Sequence, residues 1–255
     1  MQILWQNEIE GAALVASSAK AGYSVDSLKD YHLSKAFAFN TNSGNVVIDL
    51  GLAKNIKDFA IMGSNISTGS SVTLEGNDTD SWGAPAYSVP LVKYGDSFIL
   101  QDIDETYRFW RISIADFSIT NVAMGYLYIG GDKLQLPGMD PGIAFNYANN
   151  TAVSFSATGQ TYADTGFDYF ASAFKFPIIT DHASVIDGKS IATREDILEF
   201  WYDNKGATPI ILFIFENSLD THRPYLGLIA QNTLTFKMDR TMGYYEMSFR
   251  FIETK

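Results

Sequence analysis

The chain has 255 residues, of which 46% are hydrophobic and 18% charged, which is enough apolar material for one large β domain or two smaller domains. The formal net charge is −11, and an acidic chain repels phosphate backbones, so we expect no nucleic-acid binding. There is no cysteine, which excludes disulfides, thiolate metal sites and cysteine nucleophiles.

The first elements along the chain read as short strands separated by turns. Residues 1–18 lack a basic segment followed by a long apolar run, so we expect no secretory signal and no membrane insertion. Val46–Gly51 is an apolar run that ends in glycine, and in Ser71–Gly76 apolar and polar residues alternate as in a half-buried strand. Turn signals recur about every ten residues, which favours an all-β sandwich or jelly roll.

The segment Asp104–Asp116 raises the question of whether its aromatics and arginines form a stacking surface for nucleic acid or sugar, or a core strand. Strict alternation predicts two faces. One face carries Arg108, Trp110, Ile112, Ile114 and Asp116, and the other carries Tyr107, Phe109, Arg111, Ser113 and Ala115. Because Trp110, Ile112 and Ile114 form a continuous apolar stripe, we predict a core strand.

The order of these segments resembles the discoidin-like jelly roll. The resemblance rests on Asp49-Leu50-Gly51, Asp80-Ser81-Trp82 and Tyr107 to Arg111, and it covers about residues 40–136. It implies a galactose-binding-like jelly-roll domain over residues 1–138. The cysteines that close many such domains are absent, which separates this chain from the extracellular animal members.

Two features mark the end of the first part. Residues Gly130-Gly131-Asp132 between apolar runs predict a β-hairpin. Leu136–Gly142 then contains two prolines and three glycines in seven residues, so we place a domain boundary there, with a second domain over 139–255.

The second part is also β-rich but contains one predicted helix near 194–204. Thr193 and Asp196 have nearly the spacing of a capping box, and Ile197, Leu198 and Trp201 fall on one face. Pro209–Phe215 predicts a central buried strand, and in Tyr244–Glu253 apolar and polar residues alternate. The fold class is therefore all-β with one helix: a jelly roll followed by a β-sandwich flanked by the helix.

The second part resembles tail proteins of long-tailed bacteriophages. The resemblance rests on the order of Ser156–Thr180, the helix, Pro209–Phe215, Leu226–Phe236 and the closing strand. It implies a structural component of a siphophage tail near its distal tip, assembled in the host bacterial cytoplasm into the virion. The C-terminal domain would form a homo-oligomeric ring in contact with other tail proteins, with the jelly roll facing outward.

Residues that could carry catalysis or a metal form no recognisable constellation. His32, His182 and His222 have no metal-ligand spacing, and there is no nucleophile elbow or phosphate-binding loop. The pairs Asp78/Asp80 and Asp102/Asp104 could bind Ca²⁺ or serve glycoside hydrolysis, but carboxylates in solvated loops explain them as well. We therefore predict no enzyme activity, no cofactor and no metal site.

Trp82 and Tyr87 are the candidate ligand-binding residues. Both lie in a loop rich in glycine, proline and serine, where an aromatic ring can stack on the apolar face of a sugar. The structural alternative is that Trp82 plugs the end of the sandwich. The main functional hypothesis is the tail component; the alternative is a carbohydrate-binding module that contacts host-surface glycans, and a glycan-active enzyme is a third.

Overall fold

The structure, a computed structural model, shows a β-rich chain, as predicted from the sequence. It describes residues 1–131, 133–137, 146–149, 152–155, 161–164, 168–186, 189–204, 208–213, 224–231, 234–239 and 244–254. These residues form two compact units. The first unit comprises Gln2–Leu134 and Ile211–Leu226, and the second comprises Met1, Gln135–Ile210 and Gly227–Lys255.

The described strands number twenty-three, and the described residues contain one α-helix. The strands up to the division at Leu134 and Gln135 are β1 Gln2–Leu4, β2 Ala13–Ala16, β3 Phe37–Ala38, β4 Ser43–Ile56, β5 Asp58–Met62, β6 Ser71–Asn77, β7 Tyr87–Pro90, β8 Val92–Tyr94, β9 Ser97–Leu100, β10 Glu105–Ala115, β11 Ala123–Met124, β12 Tyr126–Gly130 and β13 Lys133–Gln135. The later elements are β14 Tyr147–Asn149, β15 Ala152–Phe155, β16 Thr161–Asp164, β17 Asp168–Ile179, β18 Ser184–Ile186, β19 Lys189–Ile191, α1 Arg194–Asn204, β20 Ile210–Phe213, β21 Tyr225–Ile229, β22 Phe236–Asp239 and β23 Tyr244–Glu253. Three short 3-10 helices, Glu8–Gly11, Val25–Lys29 and Leu33–Lys35, precede β4.

The first unit is a β-sandwich. One sheet has the strand order β2-β4-β10-β6-β7 and the other has the order β12-β5-β9-β8, with antiparallel pairing. The core between them combines Ile48, Leu74 and Ile112 of the five-stranded sheet with Phe59 and Leu127 of the four-stranded sheet. Alternate residues of each strand supply this core, which is why the half-buried alternation in the sequence predicted strands correctly.

The four-stranded sheet is covered on both faces. Phe59 and Ile61 of β5 point into the sandwich core, whereas Ala60 and Met62 join a second apolar cluster. That cluster includes Leu4 of β1 and residues of β20, and these two strands pair antiparallel. Because both faces of β5 and β12 are buried, their sequences are largely apolar instead of alternating, with Asp58 at the start of β5 as an exception.

The predicted hairpin at Gly130-Gly131-Asp132 is wrong. β12 is hydrogen-bonded to β5, and β13 belongs to a different sheet. Asp132 itself lies outside the described residues. Gly130 ends β12, and a turn signal between two apolar runs does not specify that the runs pair with each other.

In the second unit, the closing strand β23 is central. It pairs with β17 on one side and with β21 and β22 on the other, while β14 pairs with β17. Met247, Phe249 and Phe251 are buried, as the alternation in the sequence predicted. Phe176 stacks on Phe249 with ring centroids 5.7 Å apart, so aromatic packing between β17 and β23 forms this core.

The helix occupies the predicted residues and begins with the predicted cap. The Thr193 backbone N–H donates to Asp196 Oδ2 at 2.7 Å, and the Asp196 N–H donates to Thr193 Oγ1 at 3.2 Å. The buried face consists of Ile197, Phe200 and Asn204. Leu198 and Trp201, which were expected on that face, are only half-buried at its margin.

The domain boundary predicted at Gly138 stays a prediction. Gly138 lies in the range 138–145, which is outside the described residues. The two compact units divide between Leu134 and Gln135, and the first unit also takes in Ile211–Leu226 from the C-terminal half.

Candidate functional site

A β-bulge in β4, opposite Arg108 of β10, decides which side chains reach the outer face of the five-stranded sheet. Tyr107 pairs with Lys54 of β4, but Phe109 pairs with Asp49, so the register shifts between them. The strict alternation expected for β10 is therefore wrong at its start. Tyr107 packs inside against Trp110, with ring centroids 5.7 Å apart, and Arg108 reaches out to Asp49.

Trp110 is a core residue, as predicted. Its side chain is fully buried, and Ile112 and Ile114 continue the same apolar stripe. However, the bulge also brings Arg108 out beside Phe109 and Arg111, which lie on the opposite side of the strand from Trp110. β10 is therefore a core strand on one face, as predicted, and carries arginine and aromatic side chains on the other.

The first arginine of the outer face is held in a fixed position. Arg108 donates from Nε and a terminal nitrogen to the two carboxylate oxygens of Asp49, at 2.7 and 2.8 Å. Its guanidinium carbon lies 4.7 Å from the centre of the Phe109 ring. The hydrogen bonds from Arg108, together with one from the Gly51 backbone N–H, lower the pKa of Asp49 although burial opposes this shift.

The second arginine organises Trp82. Arg111 Nε donates to Glu75 Oε2 at 2.5 Å, and the two residues are direct neighbours across β10 and β6. The guanidinium carbon of Arg111 lies 4.7 Å from the centre of the Trp82 ring, and Trp82 Nε1 donates to Asp80 Oδ1 at 2.6 Å. We call Trp82, Arg111, Glu75 and Asp80 the Trp82 platform. It holds the half-buried indole by one face and one edge.

This position also answers the alternative that Trp82 plugs the end of the sandwich. Trp82 is not part of the core cluster between the sheets, and its ring lies over Arg111 on the outer face. Asp80, whose pairing with Asp78 suggested Ca²⁺ binding or acid–base chemistry, instead accepts the indole N–H. It serves to orient the ring.

Tyr87, the other candidate residue, lies on the opposite face of the sheet. Its ring meets Trp110 edge-on, with centroids 5.9 Å apart, and it packs against the sandwich core. Burial raises the pKa of Tyr87, with smaller contributions from Glu105 and Tyr107. The structure therefore does not bring Trp82 and Tyr87 into one site.

Gly76 explains how this aromatic cluster fits beneath β6. It pairs with Tyr87, and a Cβ at this position would lie 2.5 Å from Cδ2 of Tyr107. A side chain here would displace the Tyr107 ring, which packs on Trp110. Glycine thus leaves the room that lets three aromatic rings fill the end of the core, while Glu75 beside it faces outward.

The remaining candidate residues are held in separate surface contacts. His32 lies against Asp30 and stacks on Tyr31, and Asp181, next to the exposed His182, binds Arg194 instead. The other paired carboxylates are each hydrogen-bonded: Asp102 to Lys133 and Asp104 to Asn55. His222 lies outside the described residues.

Among the described residues, no three histidine, aspartate or glutamate side chains lie close enough together to hold a metal ion. In the same part of the chain, no helix is both long and apolar enough to cross a membrane.

Asp58 is the least expected charge in the first unit. Its side chain is fully buried, and Lys133 Nζ lies 3.8 Å from its Oδ1. Burial raises the pKa of Asp58 to about 6, although Lys133 acts in the opposite direction.

Asp58→Asn should therefore stabilise the protein at neutral pH and not at acidic pH. A raised pKa means that the folded state holds the proton more tightly, so stability falls as the pH rises from about 4 through about 6 and stays lower above it. The uncharged amide should raise the free energy of unfolding by about 1–3 kcal/mol at pH above 7. Denaturant titrations across this pH range test it, and an equal effect of the substitution at every pH would contradict it.

Comparison with known proteins gives structural matches only. No protein-family model and no curated protein matches the chain. A Ruminococcus gnavus fucosidase in complex with fucose is 18% identical over 49% of this chain and 26% of that chain, with a TM-score of 0.41. This chain thus spans about a quarter of the fucosidase.

Two further solved structures match about the same share of the chain. A Streptococcus pneumoniae fucose binding module is 11% identical over 50% of this chain and 96% of that chain, with a TM-score of 0.43. A family 89 glycoside hydrolase from Clostridium perfringens is 13% identical over 49% of this chain and 14% of that chain, with a TM-score of 0.40. At these identities and TM-scores, the matches assign no ligand to this chain.

Proposed function

We propose that the first unit is a carbohydrate-binding module and that the Trp82 platform holds the sugar. The observation that carries this proposal is the fixation of the indole: Arg111 lies over one face and Asp80 holds the ring N–H. An aromatic ring held in place in advance loses little conformational entropy when a ligand stacks on it. The Asp80 carboxylate at the edge of the ring adds a polar partner of the kind that sugar hydroxyls need.

The proposed activity is binding without catalysis. Acid–base chemistry on a glycan needs two carboxylates that flank one bond, with one of them kept protonated. At the platform, Glu75 is committed to Arg111 and Asp80 to the indole N–H. Asp58, whose pKa burial raises, is fully buried and belongs to another sheet. The platform therefore offers a binding surface and not an acid–base pair.

Trp82→Ala should lower the affinity for a bound glycan by at least about tenfold, because the stacking surface is lost. Glycan-array binding followed by calorimetry with the intact protein measures the effect. Phe117→Ala is the matched control, since Phe117 is an exposed aromatic of the same unit that is not part of the platform. Equal binding by the parent and Trp82→Ala proteins would remove the platform from the function.

As a second function we propose a structural role in a phage tail, with the second unit forming a ring and the first unit facing outward. Both units expose large apolar side chains, and this proposal assigns those of the second unit to the ring contacts. Those of the second unit are Tyr147, Ile178, Val185, Tyr202 and Met238. In this proposal the protein is part of the virion, and host-surface glycans are bound through the first unit.

Sedimentation of the intact protein, with and without purified tails, tests the second function. We expect a closed oligomer, and Ile178→Asp together with Val185→Asp should abolish it, because charges would be buried in an apolar contact. Electron microscopy of labelled tails should show the protein at the distal tip. Absence of the protein from purified virions would exclude the tail role without affecting glycan binding.

A further inference from the structure

The outer face around Trp82 carries more negative than positive charge. Between Asp58 and Val92 the sequence contains no lysine or arginine. The two arginines of the face are each neutralised by one carboxylate: Arg108 by Asp49 and Arg111 by Glu75.

Two further carboxylates lie on the loop after β6 and are not engaged by either arginine. Asp80 accepts the indole N–H, and Asp78 lies two residues before it on the same loop. Both aspartates are exposed. The uncompensated charge of the face is therefore negative and is concentrated on the loop that carries Trp82.

The direction of the Trp82 ring places this charge beside any stacked ligand. Arg111 covers one face of the indole, so a sugar would stack on the other face, with the indole between it and the guanidinium. Asp80 lies at the ring edge, 2.6 Å from Nε1, where the substituents of a stacked sugar would project. A positive substituent would be attracted there and a negative one repelled, because exposed charges interact within about a Debye length, roughly 10 Å at 0.1 M salt.

We propose, resting on the carbohydrate-binding function above, that the Trp82 platform selects sugars by charge. Sugars that carry a protonated amine bind best, neutral sugars bind less tightly, and sugars that carry carboxylate, sulfate or phosphate groups bind least. Asp78 and Asp80 are the residues that set this order, and Trp82 supplies the affinity common to all three classes.

A matched glycan panel with the intact protein tests the proposal. Gluco- and galacto-configured oligosaccharides of equal length should each be present as the free amine, the N-acetyl derivative and the 6-sulfated N-acetyl derivative. We expect the amine form to bind about five- to tenfold more tightly than its N-acetyl form at low salt. The difference should nearly vanish at about 1 M salt, where the Debye length is about 3 Å.

Two variants assign the effect to the loop. Asp78→Asn and Asp80→Asn should bring the ratio of amine to neutral affinity close to one. Neutral-sugar binding should persist in Asp78→Asn, because Asp78 is not part of the Trp82 platform; Asp80→Asn alters the platform itself and is judged by the ratio of amine to neutral affinity alone. Asp26→Asn, which removes an exposed carboxylate that pairs with Lys29 on a separate 3-10 helix, should leave the ratio unchanged.

The outcomes separate this inference from the function on which it rests. If several panel members bind but their affinities do not follow the order amine, neutral, anionic, or if the sulfated forms bind most tightly, the inference is overturned and the carbohydrate-binding function stands. Binding of none of them would overturn both. Loss of all binding in Trp82→Ala with the charge order intact in the parent protein supports both.

Discussion

Trp110→Ala should lower the free energy of unfolding of the first unit by about 3–5 kcal/mol, the cost of emptying a large aromatic site in a packed core. The side chain is fully buried and packs against Tyr87 and Tyr107, with ring centroids 5.9 and 5.7 Å away. Its loss would leave both tyrosine rings without their shared neighbour. Denaturant unfolding followed by near-ultraviolet circular dichroism measures the change.

Trp110→Phe refines this prediction. Trp110 Nε1 is buried and has no hydrogen-bond partner among the described residues, and an unpaired buried donor costs about 1–3 kcal/mol. Phenylalanine removes that donor and keeps an aromatic ring, so Trp110→Phe should cost clearly less than Trp110→Ala. A Trp110→Ala protein that melts like the parent but loses ligand would contradict the core assignment.

Trp82→Ala provides the opposite pattern. Trp82 lies on the outer face and makes its contacts with Arg111 and Asp80 instead of with the core. Substitutions at such surface positions change stability by about 0.5 kcal/mol or less. Substitution of Trp110 should therefore affect stability and substitution of Trp82 should affect binding, which distinguishes a folding role from a ligand-binding role within a single sheet.

The sequence predicted the elements whose signal is local. The stripe Trp110, Ile112 and Ile114 is buried as expected, because side-chain direction alternates wherever a strand is regular. The helix cap at Thr193 and Asp196 formed as expected, because its hydrogen bonds connect residues three positions apart. Both signals depend only on near neighbours in the chain.

The bulge in β4 opposite Arg108 could not be predicted in the same way. It arises because β4 places four residues, Leu50–Ala53, opposite the single residue Arg108. The extra residues in β4 thus reverse the predicted inward and outward directions of Tyr107 and Arg108 in β10, which lies more than fifty positions further along the chain. Gly51, with a φ of 78° and its N–H bonded to Asp49, is the local feature within β4 that accompanies the bulge.

The sequence predicted only part of the Trp82 platform, because the rest depends on which strands are neighbours. Trp82 itself stands out as an aromatic in a polar loop, and the outward direction of Glu75 follows from the buried Val72 and Leu74 beside it. The contact between Glu75 and Arg111 does not follow, since it requires β6 to lie next to β10. Strand order depends on the packing of the whole core, so no short segment of the sequence determines it.

Ending the chain at Gly243 should abolish folding of the second unit. This removes β23, which is hydrogen-bonded to β17 on one side and to β21 and β22 on the other. The deletion would expose strand edges and the apolar faces of the remaining strands, which promotes aggregation. Phe249→Ala is a milder test and should cost about 3–5 kcal/mol, because the Phe249 ring packs against Phe174 and Phe176.

Solubility and hydrogen exchange measure this outcome. We expect the shortened protein to be largely insoluble, and any soluble fraction should lose amide protection in β17, because the partner of those N–H and C=O groups is gone. Phe249→Ala should remain soluble with a lower unfolding midpoint. A soluble, cooperatively melting protein that ends at Gly243 would show that Tyr244–Glu253 is an appendage, free to pair with a neighbouring subunit, instead of the central strand of its own sheet.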